Sequence, residues 1–259
     1  MQKKTLIVAG IALVAVIAVM AVVAVGGLWA YNFVLGKTEA PSGPITAVPV
    51  VVNTSAPTPT GGAQSAAAGP TATAMVAPAG APIIFQISQE DSEARFFIDE
   101  ELRGQPNTVV GATNQVAGEL AVDLSDLSKT QVGVIQVNAR TFVTDNDRRN
   151  GAIRRFILNS DQYEFITFTP TAITGLSGAA QPGQPFTFEV TGQLTIRDVT
   201  QPAVFTVTAL GESAARITGT ATTTVKRSDF GLAIPNVPNV ANVGNDVTIE
   251  FDFVASAAG

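Results

Sequence analysis

The chain has 259 residues and a formal charge of −6, with no cysteine and no histidine. Without cysteine there is no disulfide framework, no thiolate chemistry and no acylated-cysteine anchor. Without histidine the usual general base and the commonest metal ligand are both missing, so most hydrolase and zinc-site readings fail on composition.

Lys3 and Lys4 precede an uncharged stretch over 5–36. Its densest part, 6–25, would make a helix about 30 Å long, enough to cross a bilayer. The lysines before it place the N-terminus in the cytoplasm and the rest of the chain outside. Trp29 and Tyr31 suit the outer interface. Residues 1–36 are therefore expected to be a single-pass signal-anchor in the cell membrane. The rival is a cleaved signal peptide, with Ala24-Val25-Gly26 as a small-x-small site and a secreted domain as the outcome. The apolar run exceeds the usual ~7–15 residues of a signal core, which favours the anchor.

Residues 38–82 are rich in Pro, Ala, Thr, Gly and Ser, with one charge at Glu39. Such a composition buries too little apolar surface to offset chain entropy. The segment 37–82 is predicted to be a disordered linker, its ends roughly 35–40 Å apart as a coil. Glycosylation of its Thr and Ser residues is not legible in the sequence.

Residues 83–257 are the expected folded domain, long enough for one sizeable core. Over 83–255, twelve Lys or Arg stand against twenty Asp or Glu, a formal charge of −8. That balance disfavours nucleic acid, whose phosphates need a basic face. The period is mostly two. Phe186, Phe188, Val190, Gly192, Leu194 and Ile196 share one face, with Thr187, Glu189, Thr191 and Thr195 on the other. Ala203, Phe205, Val207 and Ala209 repeat the pattern, as do Val247, Ile249, Phe251 and Phe253. Further strands are predicted at 95–102, 115–122, 134–139 and 164–169, and one from Arg216 that closes on the run Arg227 to Leu232. Gly- and Pro-bearing turns between them argue an antiparallel sandwich or barrel. The exception is a helix over 148–158, with Ile153, Phe156 and Ile157 on one face and Thr144 or Asp145 as its cap. Asp and Glu are plentiful, yet no spacing sets two of them opposite a nucleophile or a metal. No catalytic residue, metal ligand or cofactor is assigned, and the chain is not read as an enzyme.

Three blocks carry a resemblance. The first is Thr144, Asn146, Arg149, Asn150 and Ile153 leading to Leu158, then Tyr163 and Ile166-Thr167-Phe168. The second is Gly192-Gln193-Leu194-Thr195-Ile196-Arg197-Asp198-Val199-Thr200-Gln201-Pro202, with Val199 to Pro202 read as the join between two strands. The third is Arg227-Ser228-Asp229-Phe230-Gly231-Leu232 followed by the strand over 247–254. In this order and spacing they resemble the YceI-like family of polyisoprenoid-binding proteins over nearly all of 83–255. Many relatives carry a His near the first long strand; here Gln105 to Asn114 occupy that region.

The resemblance implies an all-β, antiparallel, lipocalin-like barrel with one short helix near an opening. It implies a long-chain isoprenoid, a polyprenol or quinone, held in an apolar interior for storage or transport outside the cytoplasm. The candidate ligand-binding residues are Phe97, Val116, Leu120, Ile135, Val137, Phe156, Phe168, Phe188, Leu194, Phe205, Val207, Phe251 and Phe253. Small residues on inward faces (Gly118, Gly192, Gly219, Ala203, Ala209 and Ala221) would leave room for a ligand. The alternative is a structural or adhesion domain with a filled core and no lipid. Arg227 and Asp229 share a face and read as an ion pair or backbone clamp. Arg148, Arg149, Arg154 and Arg155 suit either a solvated helix face or lipid phosphates, at about 1 kcal/mol each near anionic lipid. The membrane, through 6–25, is the other expected partner, and a homodimer is compatible with the sequence.

Overall fold

A computed structural model describes residues 38–51 and 81–258. The apolar run at 6–25 and most of the expected linker, 52–80, lie outside those residues. Among the described ones no helix is long and apolar enough to cross a membrane.

The period-two pattern is built as one antiparallel sheet of thirteen strands. In chain order they are β1 (Ile83–Ile87), β2 (Glu93–Leu102), β3 (Gln105–Thr113), β4 (Val116–Ala117), β5 (Glu119–Val122), β6 (Gln131–Val132), β7 (Ile135–Asn138), β8 (Phe165–Thr174), β9 (Pro185–Ile196), β10 (Val199–Ser213), β11 (Arg216–Lys226), β12 (Val240–Ala241) and β13 (Asp246–Ala257). Short breaks divide some of them, so the chain makes eight long passes: β1–β2, β3–β5, β6–β7, then β8, β9, β10, β11 and β13. Each pass pairs with the next. The last returns to the first, with Ala257 opposite Phe85 and Thr248 opposite Phe97. Val116 opposite Val137 and Leu120 opposite Val132 join the second pass to the third. Pairing therefore runs around the molecule and curls it into a barrel, and the inward side chains of every pass meet inside.

Four local expectations are corrected. The strand β3 lies in a segment, holding Pro106, Asn107 and Gly111, for which no strand is predicted. It forms because, apart from one bridge from Ala112 to Val143, it pairs only with β2, and a proline is tolerated where no second ladder is fed. The turn between β9 and β10 lies at Arg197 (φ 59°) and Asp198, so Val199 to Pro202 are already strand. Pro202 pairs with Gln193, and β11 joins β10 only from Thr206 onward. The strand β11 stops at Lys226, and Arg227–Phe230 form a 3-10 turn closed by Gly231 in the left-handed region at φ 63°.

The helix is the fourth correction. The α-helix α1 (Asp147–Ala152) is capped by Asn146, whose carboxamide oxygen accepts from the N–H groups of Arg148 and Arg149. Thr144 instead donates its N–H and hydroxyl to buried Asn150. Beyond it, Ile153–Ile157 widen into a π turn, with Leu158 N–H donating to Ile153 O at 2.8 Å. The widened turn changes the face that each residue presents. Ile153 is buried, whereas Phe156 is 37% exposed.

The two barrel ends differ. At one lie α1, the Arg197–Asp198 turn and the loop from Arg227 to Asn245. At the other, Leu127 N–H donates to Gly178 O, Ala180 N–H to Leu124 O and Gly183 N–H to Gly211 O, tying neighbouring loops together. A cluster of Phe85, Ile87, Val122, Leu127 and Ala255 fills that second end, with Leu176 and Phe186 packed on it. The larger cluster occupies the middle and the helix end.

Residues 38–51, expected as part of the disordered linker, lie along the barrel wall as a strap. Its polar backbone finds partners and one apolar side chain is buried. Glu39 N–H donates to Asp161 at 2.9 Å, Ser42 N–H to Glu164 at 2.8 Å and Val50 N–H to Glu119 at 3.0 Å. Ile45 is 4% exposed, and Gln89 donates to its carbonyl. Composition read as loop chemistry; packing against a preformed wall overrode it.

Glu164 holds the strap. Burial alone would raise its pKa, but hydrogen bonds from Ser42 and Asn138 and the charge of Arg140 more than offset that, and the carboxyl is held below the usual range. Its folded value is thus below its unfolded one, so its contribution to stability is complete above about pH 4.5 and is lost as pH falls through the folded value. Melting temperature should fall more steeply with acid in the native chain than in Glu164→Gln. Parallel curves for the two would refute this role.

Candidate functional site

A cavity of about 230 Å³ lies inside the barrel, and its walls expose only apolar atoms. It is lined from all eight passes of the sheet and from the helical segment. Leu120, Ile135, Val137, Phe168, Phe188, Leu194, Phe205, Val207, Phe251 and Phe253 all reach it, as the alternation predicts. Phe168 and Phe205 meet edge to face at 4.8 Å between centroids, which fixes both rings as wall rather than mobile filler.

Three expected residues do not reach it. Phe97 faces the other way, and its neighbour Phe96 lines the cavity, packing edge to face on Phe142 at 5.5 Å. Two adjacent phenylalanines carry no alternation signal of their own; the signal lay across the hairpin, where Gly111 opposite leaves room for the Phe96 ring. Val116 is fully buried beside the lining, not on it. Phe156 is turned outward by the π turn, and Ile153, Ile157 and Leu158 take its place.

Alternation missed other lining residues that sit in turns and loops. Phe142, Phe230, Leu232 and Ile234 come from such segments, so no period marked them. Phe230 (2% exposed) folds over the helix end.

The small inward residues do a different job from the one expected. A Cβ on Gly192 would stand 2.6 Å from the Phe168 ring, on Gly219 2.6 Å from the Phe253 ring, and on Gly118 2.4 Å from Ile135. These glycines seat large side chains from the neighbouring strand and do not open space for a ligand. Of the six small residues, Ala221 lines the cavity.

Arg95 and Arg227 are the two charged residues at the wall. The Arg227 guanidinium donates from Nε to Gly244 O at 2.9 Å and from Nη1 to Leu232 O at 3.0 Å, the backbone clamp foreseen in the sequence. Arg95 is held by Glu250, Glu93 and Asp252; the hydrogen bond to Glu250 is the foremost cause of a pKa above its already high ordinary value. Neither guanidinium exposes a polar atom to the cavity. Among the described residues no group of three acidic side chains is placed to hold a metal ion.

The family description that matches is "YceI-like domain", over residues 85–255. UPF0312 proteins of Shewanella baltica (strain OS155) and Shewanella sp. (strain ANA-3) are each 27% identical over 148 residues, covering 55% of this chain and 73% of theirs. A polyisoprenoid binding domain from Saccharophagus degradans superposes with a TM-score of 0.54 at 15% identity, covering 68% of this chain and 99% of that one. BcnA of Burkholderia cenocepacia gives 0.51 at 20% identity, covering 66% and 99%. At these identities the superpositions establish a shared fold.

Proposed function

The chain belongs to the YceI-like family, and from that premise we propose that its barrel binds an isoprenoid lipid by burying part of the hydrocarbon tail. The observation that carries this reading is the cavity whose lining exposes only apolar atoms. Each methylene moved from water into such a site contributes about 0.8 kcal/mol, so affinity needs no specific polar contact. The polyisoprenoid binding named for the Saccharophagus degradans domain supports the same ligand class. At about 230 Å³ the cavity is smaller than the roughly 300–1,000 Å³ of most small-molecule sites. A polyprenol or quinone tail would place a short stretch inside and either displace side chains or leave the remainder outside. We further propose that 6–25 anchors the chain and that the domain works outside the cytoplasm; the two lysines ahead of the apolar run support this.

The filled-core alternative draws support from the closed end and from the glycine-seated rings. Native mass spectrometry of residues 38–259, prepared without detergent, separates the two. A persistent adduct of lipid mass, or uptake of added prenol, is expected. Ala221→Phe, which fills the cavity from β11, should cut that uptake at least tenfold. A clean mass that refuses prenols and quinones sinks the lipid reading and leaves a structural or adhesion domain.

A further inference from the structure

The strap decides where the anchor side of the chain meets the barrel. Its first contacts, Glu39 N–H to Asp161 and the Arg140 guanidinium to Glu39 and Ala40 O, sit beside the end of the helical segment. From there it runs along the wall to Val50 on Glu119. Thr38 is thirteen positions beyond Val25, the end of the densest apolar run, and Ile83 is fifty-eight beyond it. At about 3.5 Å per residue, those lengths reach at most about 45 Å and about 200 Å. Docking the strap therefore shortens the leash roughly fourfold and makes it leave from the helix end.

We propose that the strap holds the helix end of the barrel against an anionic bilayer, with lipid as the partner of the surface around Val143, Arg148 and Phe156. This rests on the reading of 6–25 as an uncleaved anchor. Val143 is 53% exposed and Phe156 37% exposed, and Arg148 is exposed between them in sequence. Exposed apolar side chains and an exposed cation on the one segment that leads into and through the helix suit the headgroup boundary. The segment 143–158 holds four arginines against Asp145 and Asp147, in a domain whose net charge is negative, so an anionic surface favours this segment over the rest. The orientation also fits the interior: the far end is filled by the Phe85 cluster, whereas Phe142, Ile153 and Phe230 at the helix end line the cavity.

The lack of cysteine makes single-site labelling clean. The full chain, carrying Asp198→Cys in the exposed turn at the helix end or Ser177→Cys at the far end, is reconstituted in vesicles of phosphatidylcholine with one third phosphatidylglycerol. A fluorophore on each cysteine is read against headgroup-quencher lipid. Quenching at position 198 should exceed that at 177 severalfold. Two strap variants, Ile45→Asp and Ser42→Pro (which removes the N–H that Glu164 accepts), should bring the two sites close to equality. Equal quenching with the native strap, or a difference that survives both variants, overturns the proposal while leaving the anchor standing. Failure of the chain to float with the vesicles overturns the anchor, and the proposal with it. Lipid uptake by residues 38–259 is measured separately, so loss of the binding reading is distinguishable from either.

Discussion

Gly219→Ala should lower the melting temperature by about 6–12 °C, for a loss of about 3 kcal/mol, the upper part of the ordinary overpacking range in a domain of this size. The added Cβ would lie 2.6 Å from Thr208 O and 2.6 Å from the Phe253 ring. The ring can tilt; the carbonyl belongs to the β10 ladder and cannot move without disturbing the pairing of Ala209 with Gly219. Gly192→Ala should behave alike, since its Cβ would meet Thr169 O at 2.5 Å. The conflict at Gly111 is with the Phe96 side chain, so Phe96→Leu should restore most of the loss in Gly111→Ala and little of it in a Gly219→Ala, Phe253→Leu pair. Gly211→Ala is the control: a Cβ there meets nothing within 4 Å, and its effect should stay within about 0.5 kcal/mol. A Gly219→Ala chain melting with the native one would mean that the ring is not seated as described.

Arg140→Ala should cost about 3–5 kcal/mol, or roughly 6–20 °C in melting temperature. The side chain is 8% exposed, and its guanidinium is fully partnered. Nε donates to Ser160 O, Nη1 to Ala40 O, and Nη2 to Asp161 O and to the Glu39 carboxylate; Nη1 also faces Glu164 at 3.2 Å. Removing it leaves Glu164, 11% exposed, without its countercharge and strips three carbonyls of their donor. Arg140→Lys keeps the charge but offers three donors where five are used, so it should recover only part of the loss. Arg140 and Glu164 also clip the strap, so limited proteolysis should cut Arg140→Ala within 38–51 under conditions that spare the native chain. A strap that stays protected, with an unchanged melting temperature, would rule out this junction as a structural centre.

The barrel was legible because alternation is local. Phe188, Val190, Leu194, Phe205, Val207, Phe251 and Phe253 point inward as soon as their segments extend, whatever surrounds them. The clamp that Arg227 makes on Leu232 O was likewise legible, because its partner lies five residues away. Legibility stopped where a residue's role depends on a partner far along the chain. Phe96 or Phe97, Phe156 or Ile153, and the purpose of Gly192 and Gly219 are settled by a facing strand, a widened turn and rings from neighbouring strands.

By itself, then, the sequence determined the class of fold, the family and a largely apolar interior, because period, turn chemistry and ordered blocks are written in neighbouring residues. Only the tertiary structure decided how much of that interior stays empty, which end is filled and where the strap lies. Empty volume is what remains after side chains from all eight passes have met, and a Pro- and Thr-rich segment becomes ordered only against a wall that already exists.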